Sequence, residues 1–127
     1  MGPLPEWLSE IAEDLERAGH FASRPEQVII NEYLPGQGIA AHIDCAPCFG
    51  PEIASISLLS GCLMRFTSAK TDRVFDQYLA PRSLALMQGA ARYEWAHGIA
   101  ARKSDVVGGQ KLLRSRRISL TFRTMVF

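Results

Sequence analysis

One helix-sized segment is followed by a long series of short strand-sized segments, and this order constrains the fold more than any other feature. The strand-like segments are rich in β-branched and aromatic residues, and turns containing glycine or proline separate them. They cover residues 27–33, 39–44, 53–59, 62–67, 73–79, 83–87 and 116–127, with a shorter one at 91–97. Seven or eight short strands after one helix predict a mainly β (α+β) fold, arranged as a sandwich or jelly roll.

The N-terminal segment 5–18 predicts one amphipathic helix, because its apolar residues recur on a single helical stripe. These residues are Trp7, Leu8, Ile11 and Leu15. The sequence has 127 residues, which is typical of one domain. We therefore assign residues 1–26 to an N-terminal helix and its connection, and residues 27–127 to the β-rich part of a single domain.

The secondary structure of three further segments is predicted from their glycine and proline residues or from alternating polarity. Residues 45–51 predict a loop, and residues 104–113, which contain Gly108-Gly109, predict a polar loop. Residues 116–127 alternate apolar and polar side chains, so this strand is expected to have one apolar and one polar face.

Charge is balanced overall but uneven along the chain. The net charge is +1 and the isoelectric point is near 7.8, well below the value of about 9 that marks many nucleic-acid-binding domains. Basic residues nevertheless crowd into the last quarter and predict a local basic face. They are Arg102, Lys103, Lys111, Arg114, Arg116, Arg117 and Arg123.

The three cysteines and the apolar segments predict where the protein resides. An odd number of cysteines argues against a disulfide framework and for a reducing compartment. The first ten residues carry no signal-like pattern, and no stretch approaches the roughly 18 apolar residues of a membrane span. We expect a cytoplasmic protein without a membrane partner, either a monomer or a homodimer formed through an exposed strand edge.

His42, Asp44 and His97 offer two imidazoles and one carboxylate, the 2-His-1-carboxylate set that holds Fe(II) and leaves other positions open. His42 and Asp44 are two residues apart, so they point to one face if the strand continues through both. Gly98 follows His97 and permits a close backbone approach. Taken singly, each histidine is more often a structural residue than a ligand, so the set matters more than its members.

Arg117 and Arg123 lie six positions apart, which places them on one face of a strand if no bulge intervenes. An arginine pointing into a small barrel is costly unless an anion meets it, and its planar fork suits a dicarboxylate such as 2-oxoglutarate. The alternative is a solvated strand face with surface ion pairs. Asn31 and Tyr33 also share a strand face, and each can donate to a carboxylate.

Cys45-Ala46-Pro47-Cys48 is the competing metal motif. A zinc site built on it would need a second pair of ligands at suitable spacing, which only Cys62 and the histidines offer. A redox role is expected at a helix start in a βαβ unit, and that context is absent from the sequence pattern. Structural or incidental cysteines are the favoured interpretation.

Several segments, taken together, resemble the AlkB-like Fe(II)/2-oxoglutarate-dependent dioxygenases, from residue 27 to the C-terminus. The segments are Asn31-Glu32-Tyr33-Leu34-Pro35-Gly36, His42-Ile43-Asp44, Ser55-Ile56-Ser57-Leu58, Arg92-Tyr93-Glu94-Trp95-Ala96-His97-Gly98-Ile99 and Arg117-Ile118-Ser119-Leu120-Thr121-Phe122-Arg123. The joint spacing of the first two segments and the two arginines of the last are the specific part of this resemblance.

The resemblance implies a double-stranded β-helix, a distorted jelly roll, that uses Fe(II), 2-oxoglutarate and O₂. It implies His42, Asp44 and His97 as catalytic iron ligands. It also implies a cosubstrate pocket, in which Arg117 and Tyr33 meet the distal carboxylate of 2-oxoglutarate and Arg123 and Asn31 lie nearest the metal. The remaining implied pocket positions are Ser55, on the wall, and Ser119, which stands where bacterial DNA-repair members have an asparagine.

The substrate that the resemblance implies is alkylated nucleic acid, DNA or tRNA, which would undergo oxidative demethylation or hydroxylation. Ala46 replaces an acidic residue that touches the flipped base in bacterial members, and only about 26 residues precede the shared strand where those members carry a lid. The segment from Arg92 to Ile99 is closer to eukaryotic members that act on tRNA wobble uridines. The alternatives are the same chemistry on a protein or small molecule, a non-catalytic binding module with this fold, and a zinc protein.

Overall fold

The structure is a computed structural model that describes residues 4–126. These residues form two helices and ten strands. The elements are α1 (Glu6–Arg17), β1 (Gln27–Tyr33), β2 (Ile39–His42), β3 (Phe49–Leu58), β4 (Cys62–Ser68), β5 (Val74–Leu79), β6 (Ser83–Met87), α2 (Ala90–Tyr93), β7 (Trp95–Ile99), β8 (Ser104–Val107), β9 (Gln110–Leu113) and β10 (Arg117–Met125). Residues 1–3 of the N-terminal assignment and Phe127 of the last predicted strand lie outside the described part.

Eight of the strands form two antiparallel sheets that face each other. One sheet has the order β1-β10-β3-β6 and the other the order β2-β7-β4-β5. The chain thus alternates between sheets, and the last strand returns to lie between β1 and β3. This is the winding of a jelly roll, so the prediction of a mainly β double-stranded β-helix with an N-terminal helix is confirmed.

Helix α1 packs on the outer face of the β1-β10-β3-β6 sheet. Its buried Leu8, Ala12 and Leu15 join Leu120 and Phe122 of β10 in one apolar cluster. Fully burying such side chains contributes roughly 1.5–3 kcal/mol each. A second cluster fills the space between the sheets and includes Ile53, Cys62, Met64, Phe66, Leu79, Met87 and Ile99.

Strand β10 confirms the predicted alternation of apolar and polar side chains, but its polar face points into the protein and not toward solvent. Its apolar face packs under the helix, whereas its polar face points between the sheets and lines a cavity with Arg117, Ser119, Thr121 and Arg123. In an ordinary sandwich the polar face would meet solvent. A row of polar side chains directed into the interior marks the place where the fold holds a polar ligand.

Residues 104–113 are a β-hairpin, not the predicted polar loop. Gly108 and Gly109 both have positive φ, 57° and 78°, which suits a two-residue hairpin turn. Buried Asp105 accepts hydrogen bonds from Arg114 Nε and Nη2, both at 2.8 Å. Burial alone would raise the pKa of Asp105, but its bonds to Arg114 outweigh this and hold the pKa below its usual value. This ion pair fastens a hairpin whose sequence lacks a strand-like apolar pattern.

The segment before His97 also differs from prediction. In place of one short strand over 91–97, the short helix α2 comes first and β7 then carries His97. Arg92, in α2, is buried and fully hydrogen-bonded to main-chain carbonyls, which stabilises a turn that the residue pattern does not indicate. Likewise β3 begins at Phe49, inside the predicted loop 45–51.

Candidate metal centre and anion pocket

His42, Asp44 and His97 converge at one point between the sheets. Their ligand atoms all lie within 4.8 Å of one another. Oδ1 of Asp44 is 3.3 Å from His42 Nε2 and 3.6 Å from His97 Nε2. Neighbouring ligands of an octahedral ion at about 2.1 Å are about 3 Å apart, so a small inward shift would complete three metal bonds. The three predicted residues therefore form a cluster with the geometry and chemistry to hold iron on one face.

Strand pairing brings the two histidines together. His42, at the end of β2, is directly opposite His97 of β7, with ring centroids 4.4 Å apart. A Cβ on Gly98 would come within 2.9 Å of the Ala41 backbone, so glycine permits this pairing, as the sequence indicated. The expectation that β2 continues through Asp44 was wrong. The strand ends at His42, so the following loop, rather than strand alternation, directs the carboxylate to the histidines.

Each imidazole has a ring nitrogen that can donate a lone pair to a metal ion. His42 Nδ1–H donates to the Ala40 carbonyl at 3.0 Å, which leaves Nε2 free to face Asp44. Burial lowers the pKa of His97, and the nearby His42 lowers it further, while Asp44 offsets only part of this effect. His97 is consequently neutral at pH 7, the form that a metal ion requires.

Arg123 holds the other oxygen of the metal-ligand carboxylate. Its Nη1 donates to Asp44 Oδ2 at 3.2 Å, and its Nε donates to Gln27 at 3.0 Å. Its guanidinium also stacks on the Phe49 ring, 3.7 Å from the centroid. The predicted position of Arg123 at the metal end of the pocket matches this arrangement, while its contact with the cosubstrate stays a prediction.

Arg117 lies at the opposite end of the pocket without an acidic partner. It is 3% exposed and donates from Nη2 to Ser57 Oγ at 2.9 Å, but its buried Nε has no acceptor within the described residues. The guanidinium lies 5.4 Å from the ring centroid of Tyr33, which is opposite it on β1. Arg117 thus lines the cavity as a buried cation without an anion, and an entering carboxylate would supply that anion.

A single cavity of about 220 Å³ joins these two ends. The predicted pocket residues all line it: Asn31, Tyr33, His42, Asp44, Ser55, His97, Arg117, Ser119 and Arg123. Arg117 and Arg123 share this face because no bulge interrupts β10 between them. The donor set of the metal cluster and the unpaired N–H of Arg117 both fit iron with a dicarboxylate between them.

A larger open depression of about 540 Å³ lies on the other face of the β2-β7-β4-β5 sheet. Its lining consists largely of small residues. Two of its charged residues pair with each other, since Arg65 Nε donates to Asp76 at 2.8 Å. It contains none of the predicted site residues. We assign the chemistry to the smaller cavity, because buried polar groups without partners occur there.

The cysteine motif does not form a zinc site. Cys45 and Cys48 are joined by a disulfide, with Cα atoms 5.2 Å apart, whereas the odd number of cysteines had argued against a disulfide framework. The turn that places the Cys48 and Phe49 amides on the Cys45 carbonyl brings the two thiols together. Cys62 is free and buried. Among residues 4–126, the triad is the only group of three or more potential metal ligands. A zinc site built on Cys45 and Cys48 therefore has no ligand set in the described structure.

The predicted basic face is largely neutralised in the fold. Arg114 pairs with Asp105, Arg116 with Glu32, and Arg123 with Asp44. Arg117 is buried in the cavity. Arg102 pairs with Asp105 as well, so that of the seven basic residues only Lys103, Lys111 and the buried Arg117 make no ion pair within the described residues. Of the predicted local basic face, Lys103 and Lys111 therefore remain as exposed charges without an ion pair in the described structure, because residue counting does not show which charges the fold pairs.

Arg92 is a buried residue next to the site to which the sequence assigned no role. It is 2% exposed and donates to the carbonyls of Asp44, Cys45, Phe49 and Gly50. Its partners are main-chain atoms, which leave no signature in residue type or spacing.

Comparison with known proteins supports the same class. The family model of the 2OG-Fe(II) oxygenase superfamily matches residues 1–123. The uncharacterized protein L905 of Acanthamoeba polyphaga mimivirus is 36% identical over 124 residues, covering 97% of this chain and 59% of that protein. The mouse tRNA (carboxymethyluridine(34)-5-O)-methyltransferase ALKBH8 is 46% identical over 107 residues, covering 84% of this chain but 16% of that protein.

A solved structure supports the fold. The structure of OsALKBH1 superposes with a TM-score of 0.70 at 21% identity, covering 95% of this chain and 64% of that one. The chain thus spans less than two thirds of the length of each of these relatives. The cofactor prediction of Fe(II), 2-oxoglutarate and O₂ is confirmed at the level of the family. Since the family model matches nearly all of its length, the chain belongs to the 2OG-Fe(II) oxygenase superfamily, as an AlkB-like member.

Proposed function

We propose that this chain is an Fe(II)/2-oxoglutarate-dependent dioxygenase that oxidises a C–H group on alkylated nucleic acid, single-stranded DNA or tRNA. One observation carries the proposal. A single cavity has three metal-ligand side chains at one end and, at the other, a buried arginine with an unpaired N–H. A metal ion would occupy the three ligand groups, and a dicarboxylate bound to it would supply the anion that Arg117 lacks.

Different residues of the cavity would bind the metal ion and the cosubstrate. His42, Asp44 and His97 would hold Fe(II), and Arg117 with Tyr33 would hold the far carboxylate of 2-oxoglutarate. Iron bound with 2-oxoglutarate supplies the oxidation of a substrate C–H bond by O₂, with release of succinate and CO₂. Arg123 binds one oxygen of Asp44, and the other oxygen faces the two histidines, where it would be available to a metal ion.

Apolar side chains line the cavity that joins the triad and Arg117. Ile53, Met64, Met87 and Ile99 line it and are all buried. Low local polarity strengthens the attraction between Arg117 and an entering carboxylate, because there is little water to screen it. The protein's contribution is thus to orient the bound groups and to bury the arginine that would meet the carboxylate.

An aromatic row supports a planar substrate such as a nucleobase. Across the β2-β7-β4-β5 sheet, His97 is opposite Phe66, and Phe66 is opposite Phe75. The Phe66 and Phe75 rings are stacked at 4.8 Å, and Trp95 meets Phe75 edge-on at 5.3 Å. Phe75 is 47% exposed, so the row leads from the metal ligands to the surface. Exposed aromatic rings next to a site are typical stacking positions for unpaired bases.

The relatives favour nucleic acid over other substrates. The name of the mouse relative connects that protein with tRNA. The near-neutral charge and the pairing of most C-terminal arginines mean that stacking, more than phosphate attraction, would supply the affinity. A protein or small-molecule substrate is the alternative that the following assay separates.

Turnover of 2-oxoglutarate to succinate tests the proposal. Protein loaded with Fe(II) without oxygen is expected to form succinate when O₂ is admitted, and methylated single-stranded DNA or tRNA should increase the rate. His42→Ala is the control and should form none above background. Basal turnover without stimulation would move the substrate to protein or metabolite. The absence of iron-dependent turnover would contradict the oxygenase and favour a binding module with this fold.

Phe75→Ala is expected to weaken the nucleic-acid dependence of turnover. Loss of one stacking ring typically removes about 1–3 kcal/mol of binding, so half-maximal stimulation should require about five-fold more nucleic acid or more. Basal succinate formation should be unchanged, because Phe75 does not line the cavity. Val74→Ala is the matched control, since Val74 is equally exposed on the adjacent position of the same strand. Identical stimulation curves for the two variants would argue against base stacking at Phe75.

A further inference from the structure

Arg92 is a buried arginine whose guanidinium donates hydrogen bonds to main-chain carbonyls and not to a carboxylate. Its Nη1 donates to the Asp44 carbonyl at 2.7 Å and its Nη2 to the Cys45 carbonyl at 3.2 Å. On the other side of the loop, its Nε donates to Gly50 at 3.2 Å and its Nη2 also reaches Phe49 at 3.4 Å. No acidic side chain within residues 4–126 pairs with it. One guanidinium thus holds both ends of the loop from Asp44 to Gly50.

That loop begins with the metal-ligand aspartate. Because β2 ends at His42, the position of the Asp44 main chain depends on the conformation of this loop. The tip of the loop is closed by the Cys45–Cys48 disulfide and the Cys48 carbonyl accepts from the Val126 amide at 3.0 Å. These bonds close the tip, whereas Arg92 is the side chain that binds the main chain of Asp44.

Arg92 also belongs to the segment that carries another metal ligand. It lies in α2, which ends two residues before β7 begins, and β7 carries His97. Its position is itself constrained, because α2 follows Gly89, which has a φ of 58°. A single side chain therefore joins the main chain of Asp44 to the segment that leads into His97.

A second contact extends this control to the carboxylate. Arg92 holds the carbonyl of Phe49, and the Phe49 ring packs against Arg123, which bonds Asp44 Oδ2. The main chain and the side chain of Asp44 are thus both fixed before a metal arrives. Outer groups that orient metal ligands typically change metal affinity by 10- to 100-fold.

We propose that Arg92 is a positioning residue of the metal centre, which preorganises Asp44 relative to His97 by binding the main chain of the Asp44–Gly50 loop. The inference rests on the proposed function, since it requires that the triad binds a divalent metal. Only a guanidinium suits the role, because its five N–H groups form a rigid fork that reaches four carbonyls, whereas a lysine has one mobile ammonium.

Binding of Co(II), followed by its visible absorption and by titration calorimetry, tests the inference without turnover. Arg92→Lys is expected to bind Co(II) about 10-fold more weakly than the wild type and with an altered absorption spectrum, at unchanged far-ultraviolet circular dichroism. Arg114→Lys is the matched control. Arg114 is also buried and also bonds main-chain carbonyls, those of Ala100 and Arg102, but it touches no triad residue. It should lose thermal stability while keeping wild-type Co(II) affinity and spectrum.

The outcomes separate this inference from the proposed function. A wild-type protein that fails to bind Co(II) would overturn the metal site and the role of Arg92 with it. Binding by the wild type together with an unchanged affinity and spectrum for Arg92→Lys would overturn the positioning role alone. If Arg92→Lys does not fold, Arg92→Ala refolded with methylguanidinium replaces it. Removal of methylguanidinium should then weaken Co(II) binding, and unchanged binding would count against the role.

Discussion

His97→Ala is expected to abolish iron-dependent succinate formation. The substitution leaves one imidazole and one carboxylate, which cannot hold iron in a facial arrangement. It also opens a space beside Asp44 Oδ1, from which His97 Nε2 is now 3.6 Å away. The loss should exceed about 100-fold, beyond the 10- to 100-fold effect of removing a group that only orients a ligand.

The measurement is succinate formed per protein under saturating Fe(II) and 2-oxoglutarate, with metal content determined in parallel. His20→Ala is the matched control, because His20 is the remaining histidine and lies outside the metal cluster. It should retain wild-type turnover and metal content. Turnover of His97→Ala within ten-fold of the wild type would contradict the assignment of His97 as a ligand.

Much of the fold could be predicted from the sequence because the jelly roll leaves strong local signals. The helix was predicted within one residue at each end, and the bounds of β1 and β6 agree with prediction. The alternation in β10 correctly placed Arg117 and Arg123 on one face. It could not show that this face points inward, because alternation gives two faces without saying which one meets solvent.

The triad was predicted as a set of residue types, and its convergence depends on contacts that are distant in sequence. His42 meets His97 through strand pairing, which residue types alone do not encode. Asp44 is directed by a loop whose conformation depends on Arg92. The β8–β9 hairpin was missed for a related reason, since the ion pair of Asp105 with Arg114 stabilises it in place of an apolar strand pattern.

Arg117→Met is expected to have opposite effects on the empty protein and on cosubstrate binding. Arg117 is buried, its Nε lacks an acceptor in the described structure, and it has no acidic partner there, so its charge is only partly compensated. Methionine fills similar space without this cost. The free energy of unfolding of the empty protein should therefore rise by about 1–3 kcal/mol, after allowing for the lost bond to Ser57 and the stacking on Tyr33.

Binding of 2-oxoglutarate should weaken by about 100-fold or more in the same variant, since the charged partner of its far carboxylate is gone. Thermal unfolding with Mn(II) in place of iron measures both effects. At a concentration where 2-oxoglutarate stabilises the wild type by about 2.7 kcal/mol, the variant should gain no more than about 0.4 kcal/mol. Equal stabilisation of both proteins would show that Arg117 does not bind the cosubstrate.

Arg116→Met is the control that distinguishes the loss of a cosubstrate-binding arginine from a general effect of removing an arginine in or next to β10. Arg116 is the neighbouring residue, and its side chain is 60% exposed in a surface pair with Glu32. Surface pairs contribute about 0–1 kcal/mol, so the change in stability should be small and 2-oxoglutarate binding should be unaffected. A variant that is more stable empty and less stabilised by the cosubstrate identifies a residue whose burial is unfavourable until its ligand binds. That combination separates a binding arginine from a structural one, whose removal would destabilise the protein in both states.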